Sequence, residues 1–375
     1  MKSITVLIVC LLLMPVAQTD DIATLQAVGP GAKGAADARA ASAALAKGGA
    51  KNLLPILRAI KGSSPLAGNW LRSTFESIAD TEIKKGAAIP KDDLIGFVKT
   101  TSESPEARRL AYEWLLKRSP QLADQLIPNM LLDPSAEFRR DAVERLLKQA
   151  GTEKGDAATK TYREALRGAV HEDHVKKIAK ALRDAGDDVS IQQHFGFLNS
   201  WKIIGPFDNK DKKGYPVAYP PEKSLDLESE YDGQLGKVKW ESISTDDDYG
   251  VVDIAGEIEN YKGSLMYATT TYNSRKNQKV EFRLGTPNAW KLWVNGKLVF
   301  EREEYHRSTK MDQYKIPVSL QSGPNVVMLK VCQNEQDDSW AQRYQFQLRV
   351  CDSTGSAIPS SNKSARRDNV QGATQ

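Results

Sequence analysis

The chain has 375 residues, 40% hydrophobic and 27% charged. This is ordinary globular usage that excludes both a single small domain and a mostly disordered chain, and it calls for two or three folded units at ~100 to 200 residues each. Lysine and arginine outnumber aspartate and glutamate by only 52 to 48, a net charge of +4, too weak a bias to make nucleic acid the expected partner.

Residues 1–19 read as a secretory signal peptide: Lys2 supplies the positive start, 4–14 is an apolar run, and Pro15-Val16-Ala17-Gln18-Thr19 offers small residues for cleavage. The run is shorter than the ~20 residues of a spanning helix, so an uncleaved anchor is the lesser alternative and no transmembrane segment is expected elsewhere. Cys10 is expected to leave with this peptide, which places the mature chain in a periplasmic or secreted setting.

From 21 to 188 the apolar residues recur at helical spacing. Ser64-Pro65, Ser104-Pro105, Ser119-Pro120 and Asp133-Pro134 each pair a capping side chain with a proline suited to the first helical position. Arg108-Arg109-Leu110-Ala111-Tyr112-Glu113-Trp114-Leu115-Leu116-Lys117 aligns with Arg139-Arg140-Asp141-Ala142-Val143-Glu144-Arg145-Leu146-Leu147-Lys148 at an offset of 31, with seven identities in ten. Self-similarity at that period signals stacked helical hairpins. On these residues the segment resembles the HEAT repeat family, most clearly over 104–150, and the resemblance implies an α-solenoid that docks a protein partner.

Near Phe195 the hydrophobic period changes from 3.6 to 2, and about ten strands are expected at 201–207, 238–243, 249–254, 265–272, 279–284, 290–294, 297–301, 314–320, 325–332 and 343–350. Asn295-Gly296 between two apolar runs marks a tight hairpin, because both turn positions need positive φ. Short strands without interleaved helices indicate an antiparallel sandwich over 196–352. Residues 353–375, polar and poor in apolar side chains, read as a disordered tail. The fold class expected is therefore multidomain, an all-α half followed by a β-sandwich. Trp201-Lys202-Ile203-Ile204-Gly205-Pro206-Phe207, Leu292-Trp293-Val294-Asn295-Gly296-Lys297 and Asn325-Val326-Val327-Met328-Leu329-Lys330-Val331-Cys332 resemble strands of galactose-binding-like jelly rolls. Together with the helical half the chain looks like conserved exported planctomycete proteins of unassigned function.

Cys332 and Cys351, read as lying at opposite ends of two arms of one hairpin, are expected to stay unbridged, since about eight residues at ~3.3 Å each exceed a disulfide's reach. Gly29-Pro30-Gly31-Ala32-Lys33-Gly34 formally matches a dinucleotide fingerprint but has no strand before it, and reads as a lead into a helix. His171 and His174 lie three apart on one helix face, half a metal site at most. Asp246-Asp247-Asp248 could offer oxygens to calcium, although three carboxylates alone fall short of the six or more that ion takes, and a solvated turn is the expected reading. No cofactor or metal is expected. No nucleophile elbow, phosphate loop or zinc-protease motif occurs, so catalytic residues are not assigned.

Ligand candidates come from the β half: Tyr305, His306, Trp340, Arg343, Trp293 and Asp312, with Trp290, Arg307 and Gln313 beside them. Flat rings can cover the apolar face of a sugar while charged and amide groups bond its hydroxyls. The expected function is an exported, non-catalytic binding or adaptor protein, with a glycan or cell-surface component on the sandwich. A pure protein scaffold and a hydrolase with carboxylates at the junction 170–210 are the alternatives.

Overall fold

A computed structural model describes residues 16–86 and 89–361. It divides into two compact units, one through Arg145 and one from Leu146. Of the expected leader, residues 1–15 lie outside the described residues; the first helix begins at Val16.

The first unit is helical: α1 (Val16–Gln26), α2 (Ala35–Gly48), α3 (Leu53–Ile60), α4 (Pro65–Lys84), α5 (Lys91–Lys99), α6 (Pro105–Arg118), α7 (Leu122–Leu126) and α8 (Ala136–Ala150), the division between units falling inside α8. Neighbours α1 and α2, α3 and α4, and α5 and α6 pack as pairs, closing a core that includes Leu45, Phe75, Ile78, Leu94, Leu110 and Phe138. Ser64 and Ser104 cap α4 and α6 as expected, their hydroxyls accepting from the Ala67 and Ala107 amides. At Ser119-Pro120 and Asp133-Pro134 the helix starts two residues after the proline instead. At Asp133 the reason is local, because its carboxylate caps the Ser135 amide at 2.8 Å and also takes the Arg108 guanidinium.

The internal repeat has a structural counterpart. Arg108 donates through Nε to the Val98 carbonyl at 2.8 Å, and Arg139, 31 residues on, through Nε to Leu131 at 3.3 Å. Each reaches back to the element before its own helix. Arg108 also grips Asp133 at 2.9 and 2.6 Å, a buried bidentate pair that ties α6 to the next helical segment.

The second unit begins with α9 (Asp156–Gly168), α10 (Glu172–Asp184) and α11 (Ile191–Phe195). Secondary structure changes from helix to strand at 195–200, but these three helices cluster with the sheets rather than with α1 to α7. Among the described residues twelve strands follow: β1 (Ser200–Asp208), β2 (Glu230–Gly233), β3 (Gly236–Lys239), β4 (Glu241–Ser244), β5 (Val252–Asp253), β6 (Ser264–Ser274), β7 (Gln278–Gly285), β8 (Ala289–Val294), β9 (Lys297–Arg302), β10 (Tyr314–Leu320), β11 (Gly323–Gln333) and β12 (Gln345–Cys351). A six-stranded sheet runs β4-β1-β6-β11-β8-β9, a four-stranded sheet β10-β7-β12-β5, and β2 pairs with β3, all antiparallel. The Asn295-Gly296 hairpin forms with both residues at positive φ, 52° and 75°.

The sheets face each other across one core: Trp201, Ile203, Tyr272, Trp290, Leu292, Val327 and Leu329 from the large sheet meet Val280, Phe282, Leu284, Ile316, Phe346 and Leu348 from the small one. The large sheet's other face is also covered. Ile204, Phe207, Tyr267, Trp293, Met328 and Cys332 pack under Tyr215, Trp240 and partly buried Tyr219 and Tyr231, which belong to the excursion between β1 and β4. Its anchor is Lys330, fully buried, whose ammonium donates to the Tyr215 and Val217 carbonyls at 3.0 and 2.7 Å and to Glu222 at 2.9 Å. Three acceptors for three N–H donors let a charge sit inside.

Two expectations are corrected here. The tail was expected to start disordered at 353, but through 361 it packs against strands of both sheets: Cys351 of the small sheet bridges to Ala357, Gly355 O accepts from Arg349 at 2.9 Å, and the hydroxyl of Tyr272, on β6 of the large sheet, donates to Ile358 O. Residues 362–375 lie outside the described residues. Cys332 and Cys351 are both buried free thiols, yet not for the reason given, because β11 and β12 belong to different sheets. Each cysteine faces away from the shared core, so two sheets ~10 Å apart separate them.

Candidate functional site

One end of the sandwich gathers three chain segments around an exposed ring. Trp340, on the loop between β11 and β12, is 61% exposed. His306, between β9 and β10, stands nearly perpendicular to it at 5.4 Å between ring centres, and Tyr305 lies 6.4 Å beyond. The third segment follows β1. There Asn209 donates to the Tyr305 hydroxyl at 3.2 Å and the Lys212 ammonium lies 5.3 Å from the Tyr305 ring centre. Burial pushes the Tyr305 hydroxyl above its usual range, so it stays neutral. His306 is fixed through Nε2 to the Asn334 side chain at 2.6 Å.

The backbone at this end is strained. Asp211, Lys212 and His306 have φ of 54°, 63° and 55°, left-handed values that side-chain-bearing residues adopt only when surroundings hold them there. Two contacts hold this segment: the Glu335 carboxylate accepts the Asp211 amide, and Asn209 N donates to Gly263 O at 2.8 Å.

The Trp340 loop is braced from below. Lys262 donates to the Gln336 and Ala341 carbonyls at 3.0 Å each, and Asn260 donates to Gln342 at 2.8 Å, which in turn holds Asp338 O at 2.8 Å. Behind it runs a buried amide network. Asn209 reaches Gln333 O at 3.0 Å, Gln333 reaches Ala341 O at 3.4 Å and Arg343 O at 3.3 Å, and Asn288 bonds Arg343 O at 3.3 Å and accepts the Gln345 amide at 3.1 Å. A large ring exposed on so fixed a loop has little entropy left to lose on binding.

The other candidates fall elsewhere. Trp290 lies inside the core, stacked on Phe300 at 5.3 Å. Trp293 points to the large sheet's outer face and is buried beneath the excursion between β1 and β4; neighbouring Leu292 and Val294 take the inner face. Asp312 is withdrawn into an ion cluster on the outer face of the small sheet, bonded by Arg349 at 2.7 and 2.7 Å and by Arg283 at 2.7 Å. Burial alone raises its pKa, but the two guanidinium groups outweigh that and hold the carboxyl below the usual range. Gln313 accepts the Thr286 amide at 3.2 Å, and Arg307 pairs with Glu304 at 3.4 Å. Arg343 is exposed, and only its carbonyl enters the amide network.

The metal and hydrolase candidates fare differently from the aromatic one. Among the described residues no group of three or more His, Cys, Asp or Glu converges. Asp248 pairs bidentately with Arg183 at 2.8 and 2.6 Å, and Asp247 caps the Tyr249 and Val251 amides, which occupies two of the three carboxylates read as calcium oxygens. Near the expected junction Asp187 is bonded by Arg163 at 2.6 and 2.6 Å. Arg163 and Arg183 hold Asp187 and Asp248 below the usual carboxylate range, the opposite of what a general acid needs.

Sequence reasoning found Tyr305, His306 and Trp340 but missed Asn209, Lys212, Gln333, Asn334 and Glu335. Their part depends on segments about a hundred residues apart meeting at one end, for which no local signal exists.

No family model and no curated protein matches the chain. Among solved structures it is similar to a β-glucosidase from Kluyveromyces marxianus in complex with glucose, 12% identical over 42% of this chain and 16% of the other, with a TM-score of 0.26. An anti-sigma factor domain-containing protein is 14% identical over 45% and 49%, TM-score 0.22. The GH31 alpha-xylosidase from Xanthomonas citri is 13% identical over 30% and 15%, TM-score 0.18. In each case this chain spans less than half the length of the solved protein, and similarities of this size carry no argument about function.

Proposed function

We propose that this chain is an exported, non-catalytic adaptor whose β-sandwich, of galactose-binding-like type, holds a glycan at Trp340 while its helical unit, a HEAT-like array, docks a protein. The observation that carries the reading is Trp340 itself, 61% exposed on a loop fixed by Lys262 and Asn260. Apolar rings of this size are ordinarily buried, and one held rigidly in water beside polar groups is suited to stacking on the apolar face of a sugar. The repeat-equivalent contacts of Arg108 and Arg139 support the helical part. Export rests on the N-terminal pattern of a positive start, apolar run and small residues.

The test is calorimetric titration of the intact chain with soluble polysaccharides, with and without calcium. Saturable binding that Trp340→Ala removes, with the circular dichroism spectrum unchanged, is the expected result. A second reading, a protein scaffold without sugar binding, is favoured by the burial of Trp290 and Trp293. Silence toward every saccharide decides for it.

A further inference from the structure

The cover over the large sheet's outer face stops short at the end away from Trp340, and there it leaves a groove of about 500 Å³, within the size range of small-ligand sites. We infer that this groove binds an aliphatic carboxylate, with Lys202 holding the head and Leu225, Leu227 and Val326 the chain. Val326 lies seven residues along β11 from Gln333, ~23 Å at ~3.3 Å per residue. The site is therefore separate from the one proposed above and does not rest on it. Of the nine large apolar side chains exposed among the described residues, three line this groove: Leu225, Leu227 and Val326. Apolar surface gathered at a recess, rather than scattered singly, marks a binding site. The two leucines are held in place, because the carboxylate of Asp226 between them accepts the Glu228 amide at 3.0 Å and the Ser229 hydroxyl at 2.6 Å. The one aromatic residue at the groove, Trp201, has its ring in the shared core against Phe346. The walls thus suit an alkyl chain rather than a stacked ring.

The floor sets the charge of the ligand. Lys202 is the one charged residue among those lining the groove, and it is exposed. Among the described residues it makes no hydrogen bond or ion pair. Strand pairing accounts for this. Its partner on β4 is Ser242, while Glu241 and Ile243 alternate to the other face, where Ile243 joins the shared core. Its partner on β6 is Thr269, whose hydroxyl already donates to the Val327 carbonyl at 3.0 Å. The Lys202 ammonium and the Ser242 hydroxyl are left side by side as donors to the two oxygens of one carboxylate. A single cation matches a single negative charge. From β1 to β11 is two strand spacings, about 10 Å, so a chain leaving the head crosses the groove toward Val326.

The experiment measures binding of acetate, hexanoate, octanoate and octylammonium to the intact chain by equilibrium dialysis, which registers binding whatever its heat. Saturable binding of octanoate is expected, with none of acetate. Affinity should rise about two- to fourfold for each methylene from hexanoate to octanoate, the upper figure being full burial. Octylammonium, the same chain with the opposite charge, is expected to bind at least about fivefold more weakly. Lys202→Met should weaken octanoate by about fivefold, the upper end for an exposed ion pair, and close the gap to octylammonium. Leu225→Ser with Leu227→Ser should flatten the dependence on chain length, and Trp340→Ala should leave octanoate binding unchanged. All these positions are exposed, and an unchanged circular dichroism spectrum verifies the fold of each variant. Absence of octanoate binding overturns the site. Octylammonium binding as tightly as octanoate overturns the assignment of charge, and equal affinities of hexanoate and octanoate overturn the assignment of the chain. Octanoate binding that survives both groove variants, or that Trp340→Ala removes, places the ligand elsewhere and overturns the inference while leaving the glycan reading to its own test.

Discussion

Arg349 is the side chain on which most of the second unit's C-terminal packing converges, and its replacement by methionine is the most informative perturbation. Fully buried, it donates Nε and Nη2 to the two Asp312 oxygens at 2.7 Å each, and Nη1 to Phe195 O at 3.2 Å and Gly355 O at 2.9 Å. It thereby ties β12 to the end of α11, to the loop before β10 and to the segment after β12. Methionine keeps the aliphatic bulk but deletes all four of these hydrogen bonds. Phe195 and Gly355 lose a donor, while Asp312 retains Arg283 at 2.7 Å and is not left as an isolated charge. Removing one partner of a buried pair costs about 3–5 kcal/mol, and the surviving Arg283 contact places Arg349→Met near the lower end. Urea unfolding followed by tryptophan fluorescence reads this, because five of the seven tryptophans lie after Leu146. Asp312→Asn in the same background completes a double-mutant cycle with a coupling of about 2 kcal/mol expected. The sign with pH follows from Asp312, whose folded pKa is depressed. Its contribution is present above the unfolded carboxyl value of about 3.9 and is lost as pH falls through the folded value. Arg349→Met should therefore flatten the acid limb of stability against pH. A cost below about 1 kcal/mol, or an acid limb unchanged by the substitution, would refute this account of the cluster.

Other expectations follow from the same contacts. Lys330→Met removes the buried ammonium that holds Tyr215, Val217 and Glu222; a loss of about 3–5 kcal/mol and new proteolytic cleavage between 212 and 229 are expected, and a protease pattern identical to the parent's would count against the anchor. Trp340→Ala should change stability by no more than about 0.5 kcal/mol, as surface substitutions do, while abolishing any saccharide-induced change in fluorescence; a large destabilisation would mean the ring is structural. Burial pushes the Cys332 thiol up to about 12 and the Cys351 thiol up to about 11, so neither should react with Ellman's reagent at pH 8 until denaturant is added. Both folded values exceed the unfolded value of about 8.5, so this contribution to stability is full below that pH and fades as pH rises above it.

What the sequence by itself determined is whatever local chemistry decides. Helical spacing, serine-proline caps and the 31-residue repeat identified the helical half, and the alternation of β-branched and aromatic residues with Asn295-Gly296 placed most strands within a few residues. Tyr305, His306 and Trp340 were legible as a group because polar, turn-rich segments flank them. Which rings are exposed was not legible, because strand alternation presumes one face covered and one wet, and here both faces of the large sheet are covered. That is why Trp293 is buried beneath the excursion after β1, and why Lys330 sits inside on a strand that local pattern would turn to solvent. The polar neighbours of Trp340 were equally hidden, since Asn209, Gln333 and Asn334 acquire their roles only when β1 and β11, pairing on either side of β6, bring their ends to the same edge as the loop after β9. Asp312 shows the same limit from the other side: its residue type suggested a ligand contact, and two arginines from strands β7 and β12 claimed it. Side-chain chemistry is written in the sequence, but its partners are set by pairing between distant strands, and those partners decide what each group is free to do.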